Sequence, residues 1–234
     1  MMRMSTRFTW CLWPAVLTLT ACVSTAKMAL PESAATAVEY KVSGANPFAW
    51  DKPLQFGRWH STQLQDKGRL DAGLNFGKIG IGGTYHGKTI STNTGSEAHC
   101  SGLLLSASKD TLAVDPAFGN LPVLSCTFSG TQQGELSLRQ DHLNRLQGQL
   151  ISGNQVYDIS SVHQRQGGLF SSAVPLGFHL KKQQQLWWSV EKINEGRVLL
   201  WQQGDAAEQD LLATASLVLL ATNFDNLLWE EPAP

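Results

Sequence analysis

A mainly β domain, an antiparallel barrel or sandwich of about ten strands with one C-terminal helix packed on it, is the fold that this sequence predicts. Three observations predict it. Charged residues make up only 16% of the chain while Gly, Ser, Thr and Gln are plentiful, a balance typical of strands and tight turns and unlike a helical bundle. A two-residue turn signal at Gly153-Asn154 is flanked by alternating apolar positions, the mark of a β-hairpin. After Gly204 the chemistry changes to "LLATASLVLLAT", a run with good helix formers and no strand punctuation.

Arg3 and Arg7 precede the apolar run Phe8 to Ala21, which contains Pro14 and ends in small residues. The run is shorter than the roughly 20 apolar residues a membrane-spanning helix needs. A basic start, short apolar core and small end describe a secretory signal peptide over residues 1–21. Leu19-Thr20-Ala21-Cys22 closes it and resembles the lipobox of bacterial lipoproteins. The resemblance implies that Cys22 is lipidated, that the chain is cut before it, and that the new N-terminus is acylated. Several acyl chains anchor stably where one does not, since each buried CH₂ adds about 0.8 kcal/mol. Val23 follows the cysteine where an inner-membrane lipoprotein has Asp, which by the same resemblance implies transfer to the outer membrane of a Gram-negative cell. A chance cysteine beside an ordinary cleavage site is the competing reading.

Residues 22–46 are rich in small and polar types and read as a lipidated tether between lipid and domain. About 25 such residues reach ~25–30 Å on average. The β domain with its helix then occupies 47–222, and 223–234 is a C-terminal tail. Cutting at 21 removes Arg3 and Arg7 from 18 Lys+Arg, leaving 16 against 19 Asp+Glu. That balance offers no basic field for nucleic acid. Of the four cysteines, Cys11 leaves with the signal and Cys22 carries lipid, so Cys100 and Cys126 remain in an oxidising compartment. A disulfide between them would stabilise by ~3 kcal/mol in the chain-entropy view; two buried thiols are the alternative.

Within the domain, strand signals fall at 54–64, 73–81, 84–91, 99–107, 111–115, 122–129, 134–139, 175–182, 185–193 and 197–203, many separated by Gly, Asn or Asp as in "DKG", "SKD" and "NEG". Close spacing leaves no room for helical crossovers, hence an antiparallel sheet. In the hairpin Arg145 to Ser161, a turn at Gly153-Asn154 pairs Leu150 with Tyr157, Gly148 with Ile159 and Leu146 with Ser161 on one mostly apolar face. Gly at the first turn position suits type II′. Alternation in "LWWSVEKI" puts Leu186, Trp188 and Val190 on one face, Trp187, Ser189 and Glu191 on the other. Asp205 and Glu208 make a capping-box-like helix start. From Leu211 to Ala221 the run is apolar almost all round, so it is buried on at least two sides, as a barrel plug or a cover on one sheet face.

The chemistry-bearing motifs are weak. "GKIGIGGTYHG" (Gly77 to Gly87) lacks full GxGxxG spacing, Tyr85 standing where the third Gly belongs, and no strand–helix unit surrounds it. Glycines inside strands mark bulges or close backbone approach. The six histidines show neither HxH nor HExxH spacing, so no metal and no cofactor is expected. No GxSxG elbow marks a nucleophilic serine. Glu230 and Glu231 sit in a tail ending in Pro. No catalytic residue is assigned. Tryptophans are the richer signal: Trp50, Trp59, Trp187, Trp188, Trp201 and Trp229 survive cleavage. Trp59, Trp188 and Trp201 are the candidates for lining an apolar pocket, with core packing the alternative for each.

Gly57-Arg58-Trp59 also resembles the GxW of the lipocalins, barrels that carry apolar ligands. The resemblance rests on that motif and a general layout of hairpins with one late helix, and it implies that Trp59 closes the barrel floor. The lipocalins' second, Thr-Asp-Tyr-like motif is missing here, and no obvious strand follows the helix. Three function classes remain, ranked in this order. The first is a non-catalytic envelope lipoprotein that contacts other envelope proteins or supports an assembly at the periplasmic face of the outer membrane. The second is a lipocalin-like carrier of an apolar ligand, and the third an envelope hydrolase. A deep Trp-lined cavity favours the carrier, a broad exposed apolar strip the interaction protein, and Ser and His within hydrogen-bond reach in a cleft the enzyme.

Overall fold

The computed structural model describes residues 26–31, 36–45, 53–76, 79–109, 112–114, 122–141 and 145–224. The stretch expected to be a signal peptide, Cys22, Trp50, Trp229 and most of the C-terminal tail lie outside the described residues. The strands are β1 (Val38–Ser43), β2 (Gln55–Phe56), β3 (Trp59–Phe76), β4 (Ile79–Thr92), β5 (Glu97–Lys109), β6 (Leu112–Val114), β7 (Leu124–Ser129), β8 (Gly134–Gln140), β9 (Leu146–Ser152), β10 (Gln155–Val162), β11 (Gly177–Lys182), β12 (Gln185–Glu191) and β13 (Arg197–Leu200), followed by the helix α1 (Ala206–Ala221). Every pairing is antiparallel. The order β4-β3-β2-β1-β13-β12-β11-β10-β9-β8-β7-β5 returns to β4, which closes a barrel of twelve strands; β6 pairs only with the far end of β5, outside the ring.

Period-2 burial explains the wall. Leu136, Leu138, Leu146, Leu150, Tyr157 and Ile159 turn into the lumen, all 2% exposed or less, and polar residues alternate outward. The β9–β10 hairpin has the register its sequence predicts, Leu150 opposite Tyr157 and Gly148 opposite Ile159. Gly153 takes φ +55° while Asn154 keeps a negative φ, the combination a type II′ turn requires. At the strand ends Leu146 N–H donates to Ser161 Oγ.

The helix lies inside the barrel. Nine consecutive residues, Leu211 to Leu219, are buried, so every face of more than two turns is covered. Asp205 caps its start by accepting from the Glu208 N–H at 2.8 Å. Lysines cap its end: Lys192 Nζ donates to the carbonyls of Leu219, Leu220 and Thr222, and Lys88 Nζ to that of Ala221. Cys100 and Cys126, directly opposite on β5 and β7, form the disulfide.

Four sequence readings are corrected. The stretch assigned to a tether contains β1, which pairs with β13 and β2, and Met28, which is fully buried. Its short length and small polar neighbours hid the strand. The break read at "DKG" is a bulge within one long strand, with the register shifting between Asp66 and Arg69 and Gly68 at φ +86°. The strand expected at 73–81 runs across the true β3–β4 turn, since Phe76 already pairs with Ile79. The fourth is β12, where a bulge skips Trp187 between Leu180/Lys181 and their partners. Trp187 therefore joins Trp188 on the inner side, edge-on against Tyr157, and Leu186 moves to an outer groove. The helix, expected as a barrel plug or a cover on one sheet face, takes the enclosed place.

Filling the lumen makes the helix part of the core. Leu219→Ala, at a fully buried position, is expected to lower stability by about 2–5 kcal/mol. Urea unfolding followed by tryptophan fluorescence measures it, and a cost near zero would place α1 outside the cooperative unit.

Candidate functional site

The two ends of the barrel differ. One end is closed by polar contacts around the start of α1. Glu208, 4% exposed, accepts from Lys182 Nζ at 2.6 Å and from the Tyr157 hydroxyl. Burial and the Glu208 hydrogen bond push the Tyr157 phenol well above its usual range, so it stays a donor. Lys182 lies over the Trp187 ring at 4.3 Å. The carboxylate of Glu208 thus engages β10 and β11 instead of turning back to the cap as a full capping box would. Beside it, Trp59 Nε1 donates to Asp210 at 2.8 Å and Arg58 stacks over Trp59 at 4.7 Å. Every group here has a partner, and together they fix the helix to the wall.

The predicted aromatic pocket separates into two places. Trp59 and Trp188 meet in the core with ring centroids 5.8 Å apart and Phe56 against both. Trp201 lies on the outer side of the barrel, in the groove that also takes Leu186. The outward position after Leu200 sets Trp201 apart from the other two. Trp59 and Trp188 pack into the same buried core as the side chains of α1.

That outer groove also holds serine–histidine pairs. His163 Nδ1 faces the Ser172 carbonyl at 2.9 Å, which only accepts, so Nδ1 carries the proton and Nε2 accepts from Ser161 Oγ at 2.8 Å. Ser161 Oγ in turn accepts the Leu146 N–H at 2.8 Å. A nucleophile–base–orienter chain has this order of contacts. Here, however, the hydroxyl is committed to the backbone and the imidazole to the loop after β10. The set clasps that loop to the barrel. On the next strands His179 Nδ1 meets Ser189 Oγ at 2.7 Å. Burial, then the nearby Lys181 charge, pushes the His179 imidazole down to about 4.

The other end, the open rim, carries the most exposed apolar groups. The segment 26–31 crosses it. Met28 N–H donates to Glu191 Oε2 at 3.0 Å, Ala29 N–H to Gln164 O at 2.8 Å, and Gln166 N–H to Lys27 O at 2.8 Å. Asn194 Nδ2 donates to Ala26 O. Glu191 is buried and grips Arg197, whose Nε is 2.8 Å away, while Arg197 also reaches Glu39 at 2.9 Å. Gly177 admits Met28, because a Cβ there would sit 2.3 Å from its sulfur. The loop between β10 and β11 returns on itself through the Gln164–Ser171 bridge and Gly167 at φ +69°. At its tip Leu169 and Phe170 are 91% and 86% exposed.

β3, β4 and β5 rise past the same rim. β7 ends beside Gly102 and β2 beside Trp59 and His60, while β3 and β4 continue to Phe76 and Ile79 and β5 to Lys109. The disulfide bonds this extension to β7 near its root. Leu70 and Tyr85, register partners on it, are 66% and 47% exposed. A cavity of about 170 Å³ lies at the root, lined by Asp66, His86, Lys88 and Thr222 among others. Burial lowers the pKa of Lys88, against the raising effect of Asp66. Among the described residues no group of three His, Cys, Asp or Glu is placed to hold a metal ion, and no helix is long and apolar enough to cross a membrane. No signal in the sequence marked Leu169-Phe170, which stand among loop residues, or the clasp on Glu191, whose partners lie far along the chain. No family model, curated protein or solved structure matches this chain.

Two outcomes follow. Glu191→Ala leaves the buried Arg197 with Glu39 alone and removes the acceptor of Met28, so it is expected to cost about 2–4 kcal/mol and to open the Lys27 bond to trypsin. Limited proteolysis with mass spectrometry measures the second effect. His179 binds its proton in the folded chain only near pH 4, while the unfolded chain binds it near 6.5. Stability is therefore lost as pH falls from 6.5 toward 4 and is unaffected above that window, by on the order of 2–3 kcal/mol. Urea midpoints at pH 7 and 4.5 for wild type and His179→Asn isolate the contribution, which the variant should lack.

Proposed function

We infer that this chain is a lipid-anchored envelope protein of the outer membrane, facing the periplasm, that works by contact with other envelope proteins rather than by catalysis. The lipobox resemblance at Leu19-Thr20-Ala21-Cys22 supplies the anchor. The observation that carries the reading is the clasp at Met28. Only Val23, Ser24 and Thr25 separate Cys22 from Ala26, which is hydrogen-bonded to the rim. Four residue steps extend at most ~14 Å, so an acylated Cys22 holds the barrel rim close to the bilayer instead of at the end of a long leash. A tightly held, cross-braced body with a solid interior suits a fixed interaction platform.

The filled lumen speaks against the carrier, since an apolar ligand would need the space that Leu211 to Leu219 occupy. The serine–histidine contacts in the outer groove serve the loop they clasp, and they give the hydrolase reading no support. The exposed apolar groups of the rim favour an interaction protein. A palmitate analogue fed to cells producing the protein is expected to label wild type and not Cys22→Ser. Equal labelling of the two, or of neither, would remove the anchor.

A further inference from the structure

We propose that the open rim is itself a membrane-contacting surface, with the Leu169-Phe170 tip and the outer face of the β3–β4–β5 extension seated in the interfacial layer of a lipid bilayer. The proposal rests on the anchored reading above and adds the orientation and a second, protein-borne attachment.

The first ground is a group of apolar side chains on the outer face of the extension. In the barrel wall apolar positions face the lumen. Lys88 and Ile90 on β4 point inward, the first to the helix end and the second fully buried. By period 2, Tyr85 then falls on the outer face, and it is exposed. Its register partner Leu70 on β3 is exposed beside it, and Leu103 of β5, opposite Tyr85 on the other side, is half-buried. Large apolar groups facing outward on adjacent strands suit a lipid boundary. The extension does not cross the bilayer. Among the described residues the edge of β3 beyond Ser61 has no partner strand, and an open edge in hydrocarbon leaves backbone groups unsatisfied. It lies with one face in the interface and the other in water.

The second ground is independent of the extension. The Leu169-Phe170 loop sits across the rim from β3–β5, five strand positions around the ring. It is held by Gly168 N–H to Arg165 O, Ser172 N–H to His163 O, and the Arg165–Met28 bridge. A loop so braced that still presents two large apolar side chains to solvent is a preformed wedge. The third ground selects lipid as the occupant. The chain toward Cys22 leaves from Ala26 on this same rim, next to Arg165 and Gln166. Anchor, wedge and extension all lie at one end of the barrel; the opposite end carries polar turns, the less exposed Ile151 and Val156, and the capped start of α1.

The test removes the lipid. The chain from residue 22 onward with Cys22→Ser, which keeps every described residue, is exported behind a signal that is cut without lipidation. It is then mixed with vesicles of phosphatidylethanolamine and phosphatidylglycerol and separated by flotation. The unacylated chain is expected to float, and Leu169→Ser with Phe170→Ser to cut its vesicle partition at least tenfold. Adding Leu70→Ser and Tyr85→Ser should cut it further. All four residues are exposed, so near-ultraviolet circular dichroism and the melting temperature should stay as in the parent. An unacylated chain that stays at the bottom of the gradient overturns the proposal, as does undiminished floating of the fourfold variant. So does a parent that ignores vesicles but sediments as a dimer that the substitutions dissolve, which would assign the face to a second copy. Palmitate labelling of wild type reports the anchor separately, so either reading can fail without the other.

Discussion

A closed barrel of twelve strands has to be filled, and the helix that fills it is the constraint on which the other features depend. Side chains from the wall alone close the interior of about eight strands, and wider rings leave space. Here α1 occupies that space, and its sequence shows the consequence. From Leu211 to Leu219 no position is free to be charged, and Ala213, Ala215 and Ser216 keep it slim where the wall approaches. The hydroxyls that remain are satisfied within the helix, Thr214 Oγ1 to Asp210 O and Ser216 Oγ to Leu212 O. An enclosed helix also has two ends that must be satisfied without water. Asp205, Glu208 and Asp210 meet Tyr157, Lys182, Trp59 and Arg58 at one, while Lys88 and Lys192 cover the last carbonyls at the other.

The charges on these caps follow the helix dipole, acidic at the start and basic at the end. The wall supplies each complement from a different strand: β10 and β11 below, β4 and the residue after β12 above. Helix and sheet are therefore registered along the barrel axis as well as packed radially. The same economy of water-free polar groups recurs at the rim, where Glu191, Arg197, Glu39 and the Met28 backbone form one network over the outer wall. Only strands whose ends are tied in this way can carry a buried carboxylate at 3% exposure.

Much of this was legible wherever the physics is local. The β9–β10 hairpin was readable because its turn residues and its alternation specify the same register. The helix start was readable at Asp205, and the Cys100–Cys126 disulfide was expected from the two cysteines left once Cys11 and Cys22 are set aside. What was not legible depended on contacts distant in sequence. β1 reads as linker because its burial comes from β13, 160 residues later; only one of its six positions is buried. Trp201 parts from Trp59 and Trp188 because Leu200 before it turns inward, and the faces of β12 shift on one inserted residue. A bulge at Trp187 reverses the faces before it, so alternation in "LWWSVEKI" holds from Trp188 onward and breaks at Leu186. Enclosure of α1 was half legible: an all-round apolar run states that it is surrounded, without saying by what.

The strands that built the barrel also carry its exception. Past Asp66, β3 bulges against β4, with the register shifting and Gly68 at φ +86°, and the ladder then resumes. The next described side chain, Leu70, stands exposed on the face of its partner Tyr85. A bulge is the device that allows it, because an inserted residue re-aims the side chains beyond it while the ladder continues. Without that residue Leu70 would share the face of Asp66, which lines the cavity beside Thr222 at the helix end.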